Sequence, residues 1–225
     1  MPSARPQAVA WPPQIRRLGA ERALENAPVE DARWCFDEVA GRLVELCDEH
    51  SCAALTFAVQ LVHDAQRVQE NVVWITSRES SFYPPDVAEW GVDLDALAVV
   101  RLLDAREIAG AADALARSGA FGLLVLDLGA SGADRQGDVP NAVQTRLLGL
   151  AQKHGAAIVC LTVKSRERPS LGSLFSLRAQ ASRRMCGAGR FECELAIVKD
   201  KRRSPDTRSG GRRHSEVCRG PHGLC

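Results

Sequence analysis

The sequence predicts an α/β protein whose mostly parallel, twisted β-sheet is flanked by helices on both faces. Two observations lead to this fold class. Several short segments are apolar throughout, as expected of strands that are buried on both faces of a parallel sheet. These segments alternate along the chain with helical patterns of about a dozen residues, which is the order that βαβ units produce.

The first elements are expected in the N-terminal third of the chain. A short helix is expected over 13–25, where Ile15 and Leu18 lie on one face. The first strand of the sheet is expected over Leu43–Cys47, an apolar run. Residues 53–68 carry apolar side chains at helical spacing, so they are expected to form an amphipathic helix.

Turn and cap signals set the bounds of the later elements. Two prolines suit the first turn of a helix over 84–90, and Gly91 ends it. Asp104 is expected to cap a helix over 105–117, which Gly119 terminates. The other expected elements are strands over 71–76, 97–102, 122–128, 156–163 and 191–198 and a helix over 139–154.

Composition indicates one folded core with two flanking segments. The chain has 225 residues, of which 45% are hydrophobic and 5% aromatic, so the core is expected to be mainly aliphatic. Residues 1–40 are expected to be an N-terminal lead with a short helix, and residues 41–203 the α/β core. Residues 204–225, rich in Ser, Arg and Gly, are expected to be a basic, disordered tail.

Charge is distributed unevenly along the chain. Residues 1–163 contain 14 Lys and Arg against 22 Asp and Glu, a net charge of −8. Residues 164–225 contain 15 basic and 6 acidic residues, a net charge of +9. An acidic body with a basic C-terminal region indicates an anionic partner, most simply nucleic acid. A solvated basic tail without a partner is the alternative.

Four residues near the C-terminus have spacings that a zinc ion accepts. They are His214, Cys218, His222 and Cys225. The surrounding segment has almost no apolar residues to fold around a metal, so we expect no metal site and interpret them as part of the tail. Of the eight cysteines, four lie in or beside apolar segments, where Cys acts as a small hydrophobe.

The compartment is expected to be the cytoplasm. No apolar run of about 18 residues suggests a membrane span. The N-terminal residues lack the apolar segment of a secretory signal. We therefore expect no membrane partner.

The stretch CDEHSCAALT, over 47–56, lies where an α/β protein would bind a phosphate. A phosphate loop reads G-x-x-x-x-G-K-[ST], with glycines for close backbone approach, a lysine for charge and a hydroxyl for Mg²⁺. The template places Asp48, Ala53, Ala54 and Leu55 at its four fixed positions, and none of them fits. These residues alone favour a plain strand-to-helix turn. Asp127 follows an apolar strand as a Walker B aspartate does, which many buried strands also show.

A longer set of segments resembles the core of the bacterial recombinase RecA. The matching pieces are GVDLDAL (91–97), ADALARSGA (112–120), LLVLDLGA (123–130), KHGAAIVCLTVKSR (153–166) and ELAIVKDKRRSP (194–205). The likeness extends backward across CDEHSCAALT, so it covers most of residues 41–205. It implies a RecA-like core with a degenerate phosphate loop.

The resemblance also implies which functional residues are missing. The phosphate-loop glycines, lysine and threonine of RecA fall on Asp48, Ala53, Ala54 and Leu55. Its catalytic glutamate falls on Arg78, and its glutamine sensor falls on Lys164. Of the ATP machinery only Asp127 remains, so no ATPase activity and no cofactor are expected.

Chain length and this pattern of losses resemble the ImuA family. Its members act with ImuB and an error-prone C-family DNA polymerase in damage-induced, mutagenic translesion synthesis, part of the SOS response. The resemblance implies RecA, ImuB, the polymerase and DNA as partners, and a nucleoid-associated location. Two alternatives stay open: a SulA-like inhibitor of cell division, which shares the RecA-like core, and an ATPase with an unusual site.

RecA's DNA-binding loops correspond to 129–142, which is not basic here, and to 164–190, which is basic and suits a mobile loop. The candidate DNA-binding residues are Lys164, Arg166, Arg168, Arg178, Arg183, Arg184, Arg190, Lys199, Lys201, Arg202 and Arg203. The last four fall where RecA carries interface lysines, so they are expected to meet either DNA or an acidic protein surface. Phe175 is the only aromatic near the loop, so base stacking is expected to be minor.

Overall fold

The structure, a computed structural model, describes residues 34–49, 52–80, 82–129, 139–187, 190–203 and 213–219. Of residues 187, 190 and 213–219 it describes the backbone alone. The helices are α1 (Phe36–Val39), α2 (Ala53–Arg67), α3 (Pro84–Ala88), α4 (Ala105–Ser118) and α5 (Asn141–His154). The strands are β1 (Leu43–Asp48), β2 (Val72–Ser77), β3 (Leu97–Leu102), β4 (Leu123–Asp127), β5 (Ala157–Val163), β6 (Leu177–Gly187), β7 (Arg190–Asp200) and β8 (Arg213–Arg219). The helix expected over 13–25 lies outside the described residues.

The strands of the described residues form one sheet in the order β3-β2-β4-β5-β1-β6-β7-β8. Strands β1 to β6 all run parallel to one another. The β6–β7 and β7–β8 pairs are antiparallel. The mostly parallel sheet that the sequence predicts is confirmed. The carboxyl ends of β1 to β5 meet at one side of the sheet, which we call the C-terminal edge. Open α/β sheets bind their ligands at this edge.

Helices cover both faces of the sheet, as the sequence predicts. On one face, Phe57 of α2 packs in the same core as Val44 and Leu46 of β1. On the other face, Leu43 of β1 lies in a second core with Leu147 of α5. Successive side chains of a strand point to opposite faces, so an apolar run such as β1 supplies both cores.

Helix α4 shows the capping that the sequence predicts. The Asp104 carboxylate accepts the backbone N–H of Glu107 at 2.9 Å. The Glu107 carboxylate in turn accepts the N–H of Leu103 at 2.9 Å, so the two side chains form a reciprocal cap. Gly119 ends the helix in the left-handed conformation, with φ 66°.

Strand β6 corrects one expectation. It lies within 164–190, for which the sequence predicts a mobile loop. Leu177, Ala179 and Ala181 are buried in the core under α2, and polar residues stand between them. This period of two is a strand pattern, but it is obscured because the segment continues through Arg183 and Arg184 and lacks large β-branched or aromatic residues.

Strand β8 corrects a second expectation. The sequence predicts disorder over all of 204–225, whereas the backbone of Arg213–Arg219 pairs antiparallel with β7. Strand pairing is made by backbone groups and needs no apolar pattern, so a polar edge strand is easily missed from sequence. The rest of 204–225 lies outside the described residues.

Candidate functional site

The junction between β1 and α2 lies at the C-terminal edge. Asp48 ends β1, and its Oδ2 accepts the backbone N–H of Ala54 in the first turn of α2, at 3.1 Å. Cys52, just before the helix, has the left-handed conformation (φ 56°). The unpaired N–H groups and the dipole at a helix N-terminus favour a bound anion. Here a carboxylate of the chain itself supplies that anion.

The other three residues that align with the phosphate-loop template are parts of the helix and the core. Ala53 and Ala54 are buried, and Leu55 packs against the core beneath α2. Their side chains carry neither the positive charge nor the hydroxyl that a triphosphate–Mg²⁺ site uses. In the structure this junction is a packed helix start.

Asp127, at the end of β4, lies on the same face of the sheet as Asp48. Its Oδ2 accepts hydrogen bonds from Thr76 Oγ1 at 2.8 Å and from Ser80 Oγ at 2.9 Å. Ser80 Oγ also accepts the N–H of Phe82 at 3.1 Å. Asp127 thus ties the end of β2 and the turn that follows it to β4, which is a structural role that needs no metal.

Arg78 follows β2, where the resemblance places a catalytic glutamate. Its side chain is exposed, and its backbone N–H donates to the carbonyl of Leu102 at 2.8 Å. A guanidinium stays protonated in proteins, so it cannot accept a proton from an attacking water. Beside this turn Trp74 stacks on Phe82, with ring centroids 4.0 Å apart, which fills space with apolar rings.

For two residues the predicted DNA-binding role is wrong. Lys164 and Arg178 are buried, at 5% and 4% relative exposure, and both pair with the fully buried Glu45. Lys164 Nζ also donates to the carbonyl of Pro169 at 2.8 Å. These side chains are directed into the protein because a buried carboxylate attracts them, so they cannot contact DNA phosphates.

Four of the predicted arginines are exposed towards the C-terminal edge: Arg166, Arg168, Arg183 and Arg184. Arg184 pairs with Glu192 across the β6–β7 hairpin. Arg183 lies over the ring of Phe191, 4.4 Å from its centroid, in a cation–π contact. The side chain of Arg190 lies outside the described residues.

Phe191 is an aromatic residue that the sequence analysis missed as part of this site. Phe175, which it named instead, is buried at 1% exposure in the core under α4 and α5. Phe191 is partly exposed and pairs across the hairpin with Met185, which is 70% exposed. The pairing of β6 with β7 would have identified Phe191, but β6 was not predicted.

The remaining basic candidates lie at the opposite side of the sheet. Because β7 runs antiparallel to β6, its last residues lie beside the first residues of β6. The side chains here already contact the chain itself. Arg203 pairs with Glu38 at 2.6 Å, Arg202 donates to the carbonyl of Ala40 at 3.0 Å, and Lys201 donates to that of Ser173. Burial lowers the pKa of Lys199, and the neighbouring Lys201 ammonium lowers it further.

Two buried thiols border the Glu45 cluster. Burial raises the pKa of Cys47, although Arg178 beside its Sγ acts in the opposite direction. Burial also raises the pKa of Cys160, and the charge of Glu45 adds to the effect. Neither thiol is therefore activated as a nucleophile.

No group of three or more His, Cys, Asp or Glu side chains that could bind a metal occurs among the described residues. Of the candidate zinc residues, the side chains of His214 and Cys218 are not described, and His222 and Cys225 lie outside the described ranges. Within the same part of the chain, no helix is long and apolar enough to cross a membrane.

Comparison with known proteins agrees with the fold. No family model matches the chain. It is 27% identical to protein RecA of Haemophilus ducreyi over 179 residues, 72% of this chain and 48% of that protein. It is also 27% identical to protein RecA of Salinispora tropica over 161 residues, 66% of this chain and 46% of that protein. The chain spans about half the length of these curated relatives. Together with the parallel sheet, these matches show a RecA-like α/β core.

Proposed function

We propose that this chain is an ATP-independent, RecA-like accessory protein of DNA-damage-induced translesion synthesis, similar to the ImuA family. The observation that supports the proposal is the contact between Asp48 and the N-terminus of α2. It places a carboxylate where the phosphates of ATP would have to accept hydrogen bonds, within a core that is otherwise RecA-like. A RecA-like protein without nucleotide chemistry can act only by contact.

Hydrolysis of ATP requires a phosphate cradle, a metal ligand and a group that orients the attacking water. In this chain the phosphates would have to displace Asp48 from the N-terminus of α2, at a loss of about 1 kcal/mol. They would then lie beside the negative charge of Asp48. A metal ion would compete with the hydroxyl groups of Thr76 and Ser80 for the carboxylate of Asp127. At the position of the group that orients the attacking water, the chain has Arg78, which cannot accept a proton. These obstacles support a protein that neither hydrolyses nor specifically binds ATP.

Weak DNA binding is proposed for the exposed arginines towards the C-terminal edge. Arg166, Arg168, Arg183 and Arg184 can approach phosphates without reading base sequence, so affinity should fall steeply with salt. The ring of Phe191 holds the Arg183 guanidinium in a cation–π contact, which fixes the position of that charge. The four cations Lys199, Lys201, Arg202 and Arg203 lie at the opposite side of the sheet. We assign them to a protein partner, because they lie on the side of the sheet away from the four exposed arginines.

The SulA-like alternative shares the core but gives the exposed arginines no role, because blocking a division polymer does not require contact with DNA. A neighbouring gene for a polymerase-like ImuB protein would favour the ImuA type. A division phenotype without such a neighbour would favour the SulA type.

A capture experiment tests the proposal. The purified full chain is immobilised and offered purified RecA, ImuB and the error-prone polymerase, with and without ATP. We expect capture of at least one of them, unaffected by ATP. The matched variants are Arg202→Ala with Arg203→Ala, which should weaken capture, and Arg67→Ala, an exposed arginine at the end of α2, which should not. Failure to capture any of the three proteins would contradict the proposal.

A further inference from the structure

The segment between β5 and β6, residues 164–176, is wrapped around two buried cations. Arg178 donates from Nη1 to the carbonyl of Arg168 at 2.5 Å and from Nη2 to that of Ser165 at 2.9 Å. Lys164 donates to the carbonyl of Pro169 at 2.8 Å. The carbonyl groups of Ser165 and Arg168, and that of Pro169 directly after them, thus accept hydrogen bonds from positive charges inside the protein. We call residues 165–168 the arginine turn.

Glu45 is the shared counter-charge of these two cations and fixes the next residues of the segment. It is fully buried in the middle of β1 and pairs with Lys164, while its Oε2 lies 3.7 Å from Arg178 Nε. The same Oε2 accepts Ser170 Oγ at 2.7 Å and the N–H of Leu171 at 3.1 Å. One carboxylate therefore supports both the cations and the chain that surrounds them.

A buried amide fixes the segment from the other side. Gln144, in the first turn of α5, donates from Nε2 to the carbonyl of Leu171 at 3.2 Å and to that of Val139 at 2.7 Å. Both backbone polar groups of Leu171 are thereby bonded to buried side chains, one on a strand and one on a helix. The segment is attached to the folded core by side chains of the protein itself, on β1, β6 and α5.

We propose that Glu45, Lys164 and Arg178 are positioning residues that keep the arginine turn in one conformation, ready to bind the phosphodiester backbone of DNA without any nucleotide. Arg166 and Arg168 are the exposed cations of this turn and would make the phosphate contacts. A turn that is already ordered loses little conformational entropy on binding, so each phosphate contact adds more to the affinity. The inference rests on the DNA contact in the proposed function and explains how it can be independent of ATP.

The test uses the purified full chain without nucleotide and two measurements. Hydrogen exchange follows the backbone amides of 165–171, and fluorescence anisotropy follows binding to a labelled oligothymidine over a salt series. In the wild type we expect protected amides and binding that ATP does not change. Arg166→Ala with Arg168→Ala should lower affinity roughly tenfold and reduce the salt slope by about 1.4, or about 0.7 for each lost phosphate contact, with exchange unchanged.

Arg178→Lys separates positioning from charge. It keeps the positive charge but loses the planar fork that bonds two carbonyls at once. Exchange over 165–169 should accelerate about tenfold, and affinity should fall although both exposed arginines remain. Arg67→Ala is the control for simple loss of a surface charge and should change neither measurement.

Two results would overturn the inference. One is wild-type exchange over 165–171 as fast as in an unstructured peptide, or slowed only by ATP. The other is oligothymidine binding that is absent, or equal with and without Arg166 and Arg168. Partner capture is scored separately. Capture of a partner without the oligothymidine response would contradict this inference and leave the proposed accessory role intact. The oligothymidine response without capture of a partner would contradict the accessory role and leave this inference intact.

Discussion

Glu45→Ala is expected to lower the free energy of unfolding by about 3–5 kcal/mol, because it leaves two buried cations without their counter-charge. Lys164 and Arg178 are almost inaccessible to water, so the solvent cannot replace the lost carboxylate. The substitution also leaves Ser170 Oγ and the N–H of Leu171 without their acceptor. Urea denaturation of the wild type and the variant gives the difference directly.

The control for Glu45 is an ion pair at the surface. Arg184 pairs with Glu192, but its side chain is 79% exposed, so Arg184→Ala should change stability by less than about 1 kcal/mol. A double-mutant cycle between Glu45 and Lys164 should show coupling well above that of the surface pair. A Glu45→Ala effect as small as that of Arg184→Ala would mean that the buried cluster does not stabilise the fold.

Gly172→Ala is expected to destabilise the protein by about 2–4 kcal/mol. A Cβ atom at Gly172 would lie 2.1 Å from Oε1 of Gln144, which is far inside van der Waals contact. The amide cannot turn away freely, because its Nε2 donates to the carbonyls of Val139 and Leu171. The added methyl group must therefore break hydrogen bonds or displace the 164–176 segment.

Gly149→Ala is the matched control for Gly172. Gly149 is exposed within α5, and nothing lies within 4 Å of the Cβ position. Alanine is the better helix former, so this change should stabilise the protein by up to about 1 kcal/mol. Thermal unfolding of both variants checks the pair, and equal shifts in the midpoint would contradict the packing described around Gly172.

Much of the fold could be predicted because its signals are local. The strand over Leu97–Leu102 has the bounds that the sequence predicts, and Asp104 caps the helix that was expected after it. Each such element is specified by an apolar run, a cap or a terminating glycine within a few neighbouring residues. β6 and β8 could not be predicted in this way, because polar side chains obscure their strand pattern.

The buried charge cluster could not be predicted, because its members are far apart in the sequence. Glu45 stands inside an apolar run, and its partners follow more than a hundred residues later at Lys164 and Arg178. Only the sheet order, in which β1 lies between β5 and β6, brings them together. Seen in the sequence alone, a lysine after a strand and an arginine in a basic segment both suggest a surface.

At the Asp48 junction, too, one part of the site could be predicted from the sequence and another part could not. The sequence identifies which residues of a phosphate loop are missing, because those residues occupy fixed spacings. What replaces them depends on the direction of one side chain, which turns back to cap α2. The same holds for Asp127, whose position was predicted and whose bonds to Thr76 and Ser80 were not.

The basic residues divide into two surfaces. Arg184 pairs with Glu192 near one end of β7, and Asp200 closes the other end, a separation of roughly 25 Å along the strand. This separation is compatible with the proposal that DNA and a protein partner bind at different ends of the strand. Both surfaces are basic although the net charge of the chain is only +1, because the acidic residues lie mainly in residues 1–163.

ATP binding by the purified chain tests the central claim most directly. Calorimetric titration of ATP with Mg²⁺ into the wild type and into Asp127→Ala should show no saturable heat in either protein up to millimolar nucleotide. The result follows if the carboxylate of Asp48 occupies the anion position of α2 and Asp127 serves the fold. Saturable binding by the wild type that is lost in Asp127→Ala would contradict it, because Asp127 would then serve a nucleotide site.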